Sequence, residues 1–102
     1  MPTPAYDVNR NDREVHLTVR GSLDINTAPQ LAEEIDRLMA QRPRRVVCDL
    51  SALELIDSSG VAALVKLYKA IRSAGGAVTF SGAHDQPLAI FKLLRMDRVF
   101  NL

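Results

Sequence analysis

The 102-residue sequence lacks the features that mark several large classes of protein. It has one cysteine, Cys48, so no disulfide can form within the chain and nothing indicates an oxidising compartment. The opening Met1-Pro2-Thr3-Pro4 has neither the basic nor the apolar region of a signal peptide. No apolar run approaches the ~18 residues that a membrane helix needs. We therefore expect a cytoplasmic protein that does not enter the membrane.

A large excess of charge of one sign is also missing. The 13 basic and 12 acidic residues give a formal net charge of +1, which argues against sequence-independent nucleic-acid binding. The charges are unevenly placed, because residues 1–57 carry a net −3 and residues 58–102 a net +4. This asymmetry is compatible with a solvated helix face or with a docking surface.

The remaining composition is that of an ordinary globular protein. Hydrophobic residues make up 47% and charged residues 25% of the chain. A chain of this length is long enough for one domain and too short for two, so residues 1–102 are expected to form a single domain. The lone thiol of Cys48 stands in an apolar run and is interpreted as a buried, inert side chain.

Alternating apolar and polar residues predict a hairpin at the start of the chain. The alternation is weak over Tyr6–Arg10, interrupted by a turn signal at Asn11-Asp12, and clear over Glu14–Arg20. Gly21 is expected to end the second strand, and the first helix to follow it.

Helices and strands alternate along the rest of the sequence, which gives the order β-β-α-β-α-β-α-β. Strands joined through helices run parallel, so an α/β fold with a mixed, mostly parallel sheet and helices packed on it is predicted. The predicted elements are a helix capped by Thr27 that stops before Pro43, a strand at Arg45–Leu50 buried on both faces, a helix from about Val61 to Gly75-Gly76, a strand at Ala77–Gly82, a helix capped by Asp85 that runs to about Leu94, and a short strand near Val99.

The sequence offers no convincing enzyme site. His16 and His84 have no partners at metal-ligand spacing, and no glycine-rich phosphate loop is present. A hydrolase nucleophile elbow needs Gly-x-Ser-x-Gly, but Ile56 replaces the first glycine before Ser58. We expect no catalytic residue, no metal and no cofactor.

The stretch Ile56-Asp57-Ser58-Ser59-Gly60 is the most unusual part of the sequence. It joins a buried strand to a helix at the carboxyl edge of the predicted sheet, where open α/β sheets place their binding sites. One of Asp57, Ser58 and Ser59 could simply be the helix N-cap. Three consecutive polar residues exceed that need, and a phosphate on Ser58 would meet backbone donors at the helix start. The loop with Asp24, between the hairpin and the first helix, should reach the same edge, either for local capping or to flank this site.

Both loops resemble the STAS domain of bacterial anti-sigma factor antagonists. The resemblance rests on Gly-Ser-Leu-Asp-Ile-Asn-Thr-Ala at 21–28, Val-Cys-Asp-Leu-Ser at 47–51 and Ile-Asp-Ser-Ser-Gly-Val at 56–61, and it covers nearly the whole chain. The Gly75-Gly76 pair before a strand and the sequence of residues 93–102 also match the pattern of this family. The family often has a glycine near Arg95-Met96, and this sequence has none there.

The resemblance implies a switch controlled by phosphorylation. It makes Ser58 the phosphoacceptor. It implies that the unphosphorylated form binds an anti-sigma factor that is also a serine kinase and so releases a sigma factor, and that a metal-dependent serine phosphatase resets the switch. ATP and Mg²⁺ would belong to the kinase. The implied partner-binding residues are Asp24, Thr27, Ile56, Asp57, Ser59 and Gly60.

Two alternatives stay open at this point. The chain could be a STAS interaction subunit of a transporter complex or of a signalling scaffold. It could also be a STAS domain that binds a small molecule or a nucleotide. In each case a monomer is the default expectation.

Overall fold

A computed structural model of the chain describes residues 6–11 and 14–102, so the predicted Asn11-Asp12 turn lies partly outside the described residues. No helix in these ranges is long and apolar enough to cross a bilayer. The elements are β1 (Tyr6–Asn11), β2 (Glu14–Leu23), α1 (Ala28–Ala40), β3 (Arg45–Ile56), α2 (Ser58–Ser73), β4 (Ala77–Ser81), α3 (Asp85–Leu93) and α4 (Met96–Val99).

The strands form one mixed sheet in the order β1-β2-β3-β4. β1 and β2 pair antiparallel, as the alternating pattern predicts for a hairpin. β2–β3 and β3–β4 pair parallel, because a helix connects the strands of each pair. The predicted α/β fold with a mostly parallel sheet is therefore confirmed.

One face of the sheet carries the core, and the other stays open. Val46 and Cys48 of β3 are fully buried and lie in register with Val15 and Leu17 of β2, which are also buried. Residues of β3 that point the other way, such as Val47, are only half-buried. The prediction that β3 is buried on both faces is thus wrong, although Cys48 is buried as expected and its burial raises the pKa of its thiol.

Both central strands run further than the sequence pattern predicts. β2 does not end at Gly21: a register shift next to Gly21, which has φ +68°, lets the strand bend and continue to Leu23. β3 continues past Leu50 and ends at Ile56, paired with Leu23. This extension brings the ends of β2 and β3 to the same edge of the sheet.

Two predicted helix caps differ from the structure. Thr27 occupies the N-cap position of α1, but its side chain makes no capping hydrogen bond. Asp85 is the first residue of α3 rather than its cap, and His84 stands at the N-cap position without a side-chain capping bond. The Thr27 hydroxyl instead donates to the Ser22 carbonyl oxygen in the preceding loop, and the Asp85 carboxylate contacts the His84 ring.

The C-terminal segment ends in a short helix, so the strand predicted near Val99 is wrong. Phe100 is 3% exposed and its ring stacks on Phe80, with 4.0 Å between the ring centroids. The segment is therefore anchored by one aromatic side chain that points into the core, and not by pairing along a sheet edge. The turn into α4 is made by Arg95 at φ +59°, a left-handed conformation in which glycine is favoured.

Candidate functional site

The loops after β2 and β3 meet at the carboxyl edge of the sheet. Leu23 and Ile56 are the last paired residues of the two strands. Beyond this pair, the backbone N–H of Asp57 donates to the carbonyl oxygen of Leu23 at 3.2 Å. The two polar loops singled out in the sequence therefore form one continuous surface.

Asp57 is the N-cap of α2. One carboxylate oxygen, Oδ1, accepts from the N–H of Gly60 at 3.0 Å, and Oδ2 accepts from the N–H of Ile25 in the other loop at 3.0 Å. Because Asp57 performs the capping, the neighbouring serines are not needed for it.

Ser58 is the first residue of α2, and its side chain is exposed. Among the described residues, the capping bond to Gly60 is made by Asp57 and no hydrogen bond involves the Ser58 hydroxyl. Ser59, the next residue, is half-buried. The arrangement can offer the Ser58 hydroxyl to an incoming enzyme without any change of fold.

Ile56 and Gly60 pack beneath the first turn of α2. Ile56 is 4% exposed and Gly60 is buried, so both lie beneath the surface of the site, and their contact with a partner stays a prediction. A Cβ on Gly60 would lie 2.3 Å from the carbonyl oxygen of Leu23 and 2.7 Å from Ile56 Cγ1. Glycine lets the first turn of α2 lie directly on the ends of the two strands.

Asp24 and Thr27 organise their own loop. Asp24 Oδ1 accepts from the N–H groups of Asn26 and Thr27 at 2.9 and 3.2 Å. The Thr27 hydroxyl donates to the carbonyl oxygen of Ser22 at 2.8 Å and accepts from the N–H of Asp24. The Asp24 carboxylate therefore closes a turn within its own loop, and Asp24 is half-buried.

Two exposed apolar residues that were not predicted as site residues lie in the segments that meet at the site, Ile25 in the loop after β2 and Leu55 near the end of β3. Ile25 is 68% exposed and Leu55 is 54% exposed. The signal available in the sequence was an isolated isoleucine between Asp24 and Asn26 in a polar loop. Exposed side chains of this size at one edge indicate a protein contact surface.

An apolar groove adjoins the site between α1 and α2. Its volume is about 340 Å³, and Ile25 and Ser59 stand at its rim. Its remaining lining residues are mostly small: Ala28, Pro29, Ala32, Ala62, Ala63 and Lys66. Lys66 crosses between the helices, donating to the Ala32 carbonyl oxygen at 3.1 Å and lying 2.9 Å from Asp36 Oδ1. We call this surface the α1–α2 groove.

Polar side chains from the start of α3 contact the other side of β3. The Gln86 carboxamide pairs with the backbone of Ile56, and His84 Nε2 lies 2.8 Å from the Ser51 carbonyl oxygen. His84 Nδ1 also contacts the Asp85 carboxylate. These two acceptors, Asp85 first and Ser51 second, raise the pKa of the His84 imidazole.

Comparison with known proteins identifies relatives along almost the entire chain. The family model described as the STAS domain matches residues 5–102. The anti-sigma-F factor antagonist RsfB of Mycobacterium tuberculosis is 31% identical over 88 residues, which covers 84% of this chain and 70% of that protein.

Solved structures agree with the fold. An anti-sigma factor antagonist from Mycobacterium paratuberculosis superimposes with a TM-score of 0.79 at 28% identity, covering 93% of this chain and 80% of that one. The Bacillus cell fate determinant SpoIIAA in its phosphorylated form gives a TM-score of 0.74 at 18% identity, covering 93% and 99%.

Proposed function

Because the chain belongs to the STAS domain family, we propose that it acts as an anti-sigma factor antagonist whose binding is ended by phosphorylation of Ser58. The observation that carries the proposal is the exposed Ser58 hydroxyl, which stands free of capping duty at the start of α2. The exposed Ile25 side chain and the α1–α2 groove, which Ser59 helps to line, lie next to this segment and offer the apolar surface on which a protein can dock.

A phosphate on Ser58 changes this surface by charge. It adds about −1.5 to −2 charge beside the Asp57 carboxylate and near Asp24. The backbone of the site is held by hydrogen bonds that do not involve the Ser58 side chain, so the fold tolerates the modification. A partner that packs here loses affinity: if repulsion and desolvation cost about 3 kcal/mol, binding weakens by more than about a hundredfold.

The proposed partners follow from the switch. The unphosphorylated chain binds an anti-sigma factor that is also a serine kinase, which frees a sigma factor. Phosphorylation by that kinase ends the binding, and a metal-dependent serine phosphatase restores it. ATP and Mg²⁺ are substrates and ions of these partners, so the chain itself uses no cofactor and catalyses no reaction.

The same proposal covers the organisation of the chain. Residues 1–102 act as one STAS domain, in the cytoplasm and as a monomer. The contact surface consists of Ser58 and Ser59 with Asp24 and Ile25, while Thr27 and Asp57 hold the two loops in place.

Phosphate mapping tests the proposal. The chain is incubated with the anti-sigma kinase of its own organism and ATP, and the modified residue is identified by mass spectrometry. We expect one phosphate on Ser58, none on Ser58→Ala, and normal modification of the neighbouring Ser59→Ala control. Full modification of Ser58→Ala would show that another residue is the acceptor.

A further inference from the structure

The strand that leads to Ser58 loses its neighbour on one side before it ends. β4 pairs with β3 only up to Asp49, which lies opposite Ser81. On the other side β2 stays paired as far as Leu23 and Ile56. The part of β3 nearest to the site is therefore an edge towards α3, and its backbone groups there need other partners.

Gln86 supplies those partners at Ile56. The N–H of Ile56 donates to Gln86 Oε1 at 2.9 Å, and Gln86 Nε2 donates to the Ile56 carbonyl oxygen at 2.9 Å. A carboxamide has the same donor and acceptor groups as a peptide unit, so the Gln86 side chain replaces one residue of a missing strand. Gln86 is itself half-buried, which favours these bonds over bonds to water.

The Ser58 segment is consequently held from two sides. On the β2 side, the backbone N–H of Asp57 donates to the Leu23 carbonyl oxygen. Gln86 fixes Ile56, the residue directly before Asp57, on the opposite side. The His84 contact with Ser51 anchors the same α3 terminus further back along β3.

We propose that Gln86 is a positioning residue for phosphorylation of Ser58: its carboxamide fixes the backbone at Ile56 and thereby the start of α2. This inference rests on the proposed function. Gln86 does not need to touch the kinase or the Ser58 hydroxyl, because it acts through the backbone. Its loss should let the backbone before Ser58 shift and so misplace the Ser58 hydroxyl in the docked kinase.

The kinetic test compares Gln86→Ala with wild type and with Gln41→Ala as phosphoacceptors. Gln41 is exposed at the end of α1, so its truncation is a matched control away from the site. We expect kcat to fall about tenfold in Gln86→Ala, since small misplacements of reacting groups cost large factors in rate. KM should change less than kcat because the side chains of Ile25 and of the groove are kept, and Gln41→Ala should match wild type.

A second measurement tests, in the absence of the kinase, whether the hydrogen bond between Gln86 and the Ile56 backbone protects that backbone. Amide hydrogen exchange at Ile56 should be at least about tenfold faster in Gln86→Ala, because the N–H loses its acceptor. Gln86→Glu keeps an acceptor for this N–H but loses the donor to the carbonyl oxygen. It should retain protection at Ile56 and show an intermediate kcat, and it replaces Gln86→Ala if that variant does not fold.

The outcomes separate this inference from the function on which it rests. Fast exchange at Ile56 with an unchanged kcat would overturn the positioning role, and so would unchanged exchange in Gln86→Ala. If wild type is not phosphorylated at all, the proposed function fails. The exchange comparison then still decides whether Gln86 fixes the segment before Ser58.

Discussion

The Asp57 carboxylate accepts a hydrogen bond from the backbone N–H of Ile25, a residue 32 positions earlier in the chain. With its other oxygen Asp57 caps α2 through Gly60. One side chain thus joins the loop after β2 to the helix that begins with Ser58. The capping alternative considered for this motif is therefore confirmed for Asp57, and the role of Ser58 as a binding and phosphorylation site stays a prediction.

Replacing Asp57 by alanine should lower the free energy of unfolding by about 1–2 kcal/mol, because one cap and one bond between the loops are lost. Urea unfolding measures this change. Asp36→Ala is the matched control, since Asp36 is exposed on α1 and pairs only with Lys66 in the described contacts. We expect it to remain within about 0.5 kcal/mol of wild type. A loss at Asp57 no larger than that of the control would contradict the bridging role.

Gly60→Ala should destabilise the protein by about 1–3 kcal/mol through overpacking. The added Cβ would lie 2.3 Å from the Leu23 carbonyl oxygen, a backbone atom that can move only with β2. Ser59→Ala, one position earlier on the same helix, is the control and should be near neutral. Thermal or urea unfolding of both variants checks this. Equal stability of Gly60→Ala and wild type would show that α2 can shift away from the strand ends.

The elements with strong periodicity could be predicted from the sequence. Alternation located β2, and the apolar stripes located α1 and α2, because those patterns are set by burial on a single face. The same pattern failed for the outer half of β3, where Ser51, Ala52 and Glu54 give no apolar alternation. The strand continues there because β2 extends beside it.

The site was predictable only in its local part. The motif at Asp57 and Ser58 lies at one chain position, so its place at a strand–helix junction could be inferred. The bonds between Gln86 and Ile56 join residues 30 positions apart, and no local pattern reveals them. Arg95 shows the same limit, because a left-handed conformation at an arginine has no local sequence signal.

The His84 contacts should make stability depend on pH. Both ring nitrogens face acceptors, Asp85 Oδ2 and the Ser51 carbonyl oxygen, and only the protonated imidazole can donate to both. The pKa of His84 is accordingly raised above its ordinary value of 6.5, with Glu54 adding a smaller effect. The resulting stabilisation is fully present below pH 6.5 and is lost as the pH rises through the raised value.

Titration of the His84 ring by NMR measures this directly. Asp85→Asn should lower the midpoint, because it removes the principal acceptor charge; asparagine also tolerates the positive φ of +52° at this position. In His84→Gln the unfolding midpoint should lose the corresponding part of its pH dependence. If Asp85→Asn leaves the His84 midpoint unchanged, the contact with Asp85 does not hold the proton.

Ser58→Asp should reproduce only part of the effect of phosphorylation on kinase binding. Aspartate supplies about one negative charge and two oxygens, whereas a phosphate supplies about −1.5 to −2 charge and three acceptor oxygens. An acidic residue in the first turn also suits the helix dipole, so the fold should not weaken. We expect the variant to bind the kinase about tenfold less tightly than wild type, with the phosphorylated chain weaker still.

Two controls separate charge from volume and position in this experiment. Ser58→Asn has nearly the size of Ser58→Asp without its charge and should bind close to wild type. Ser73→Asp places the same charge on an exposed residue at the far end of α2 and should have no effect on binding. Calorimetry with the nucleotide-loaded kinase gives the affinities. Equal affinities of Ser58→Asp and wild type would contradict repulsion, and equal losses in Ser58→Asp and Ser58→Asn would replace it by a steric mechanism.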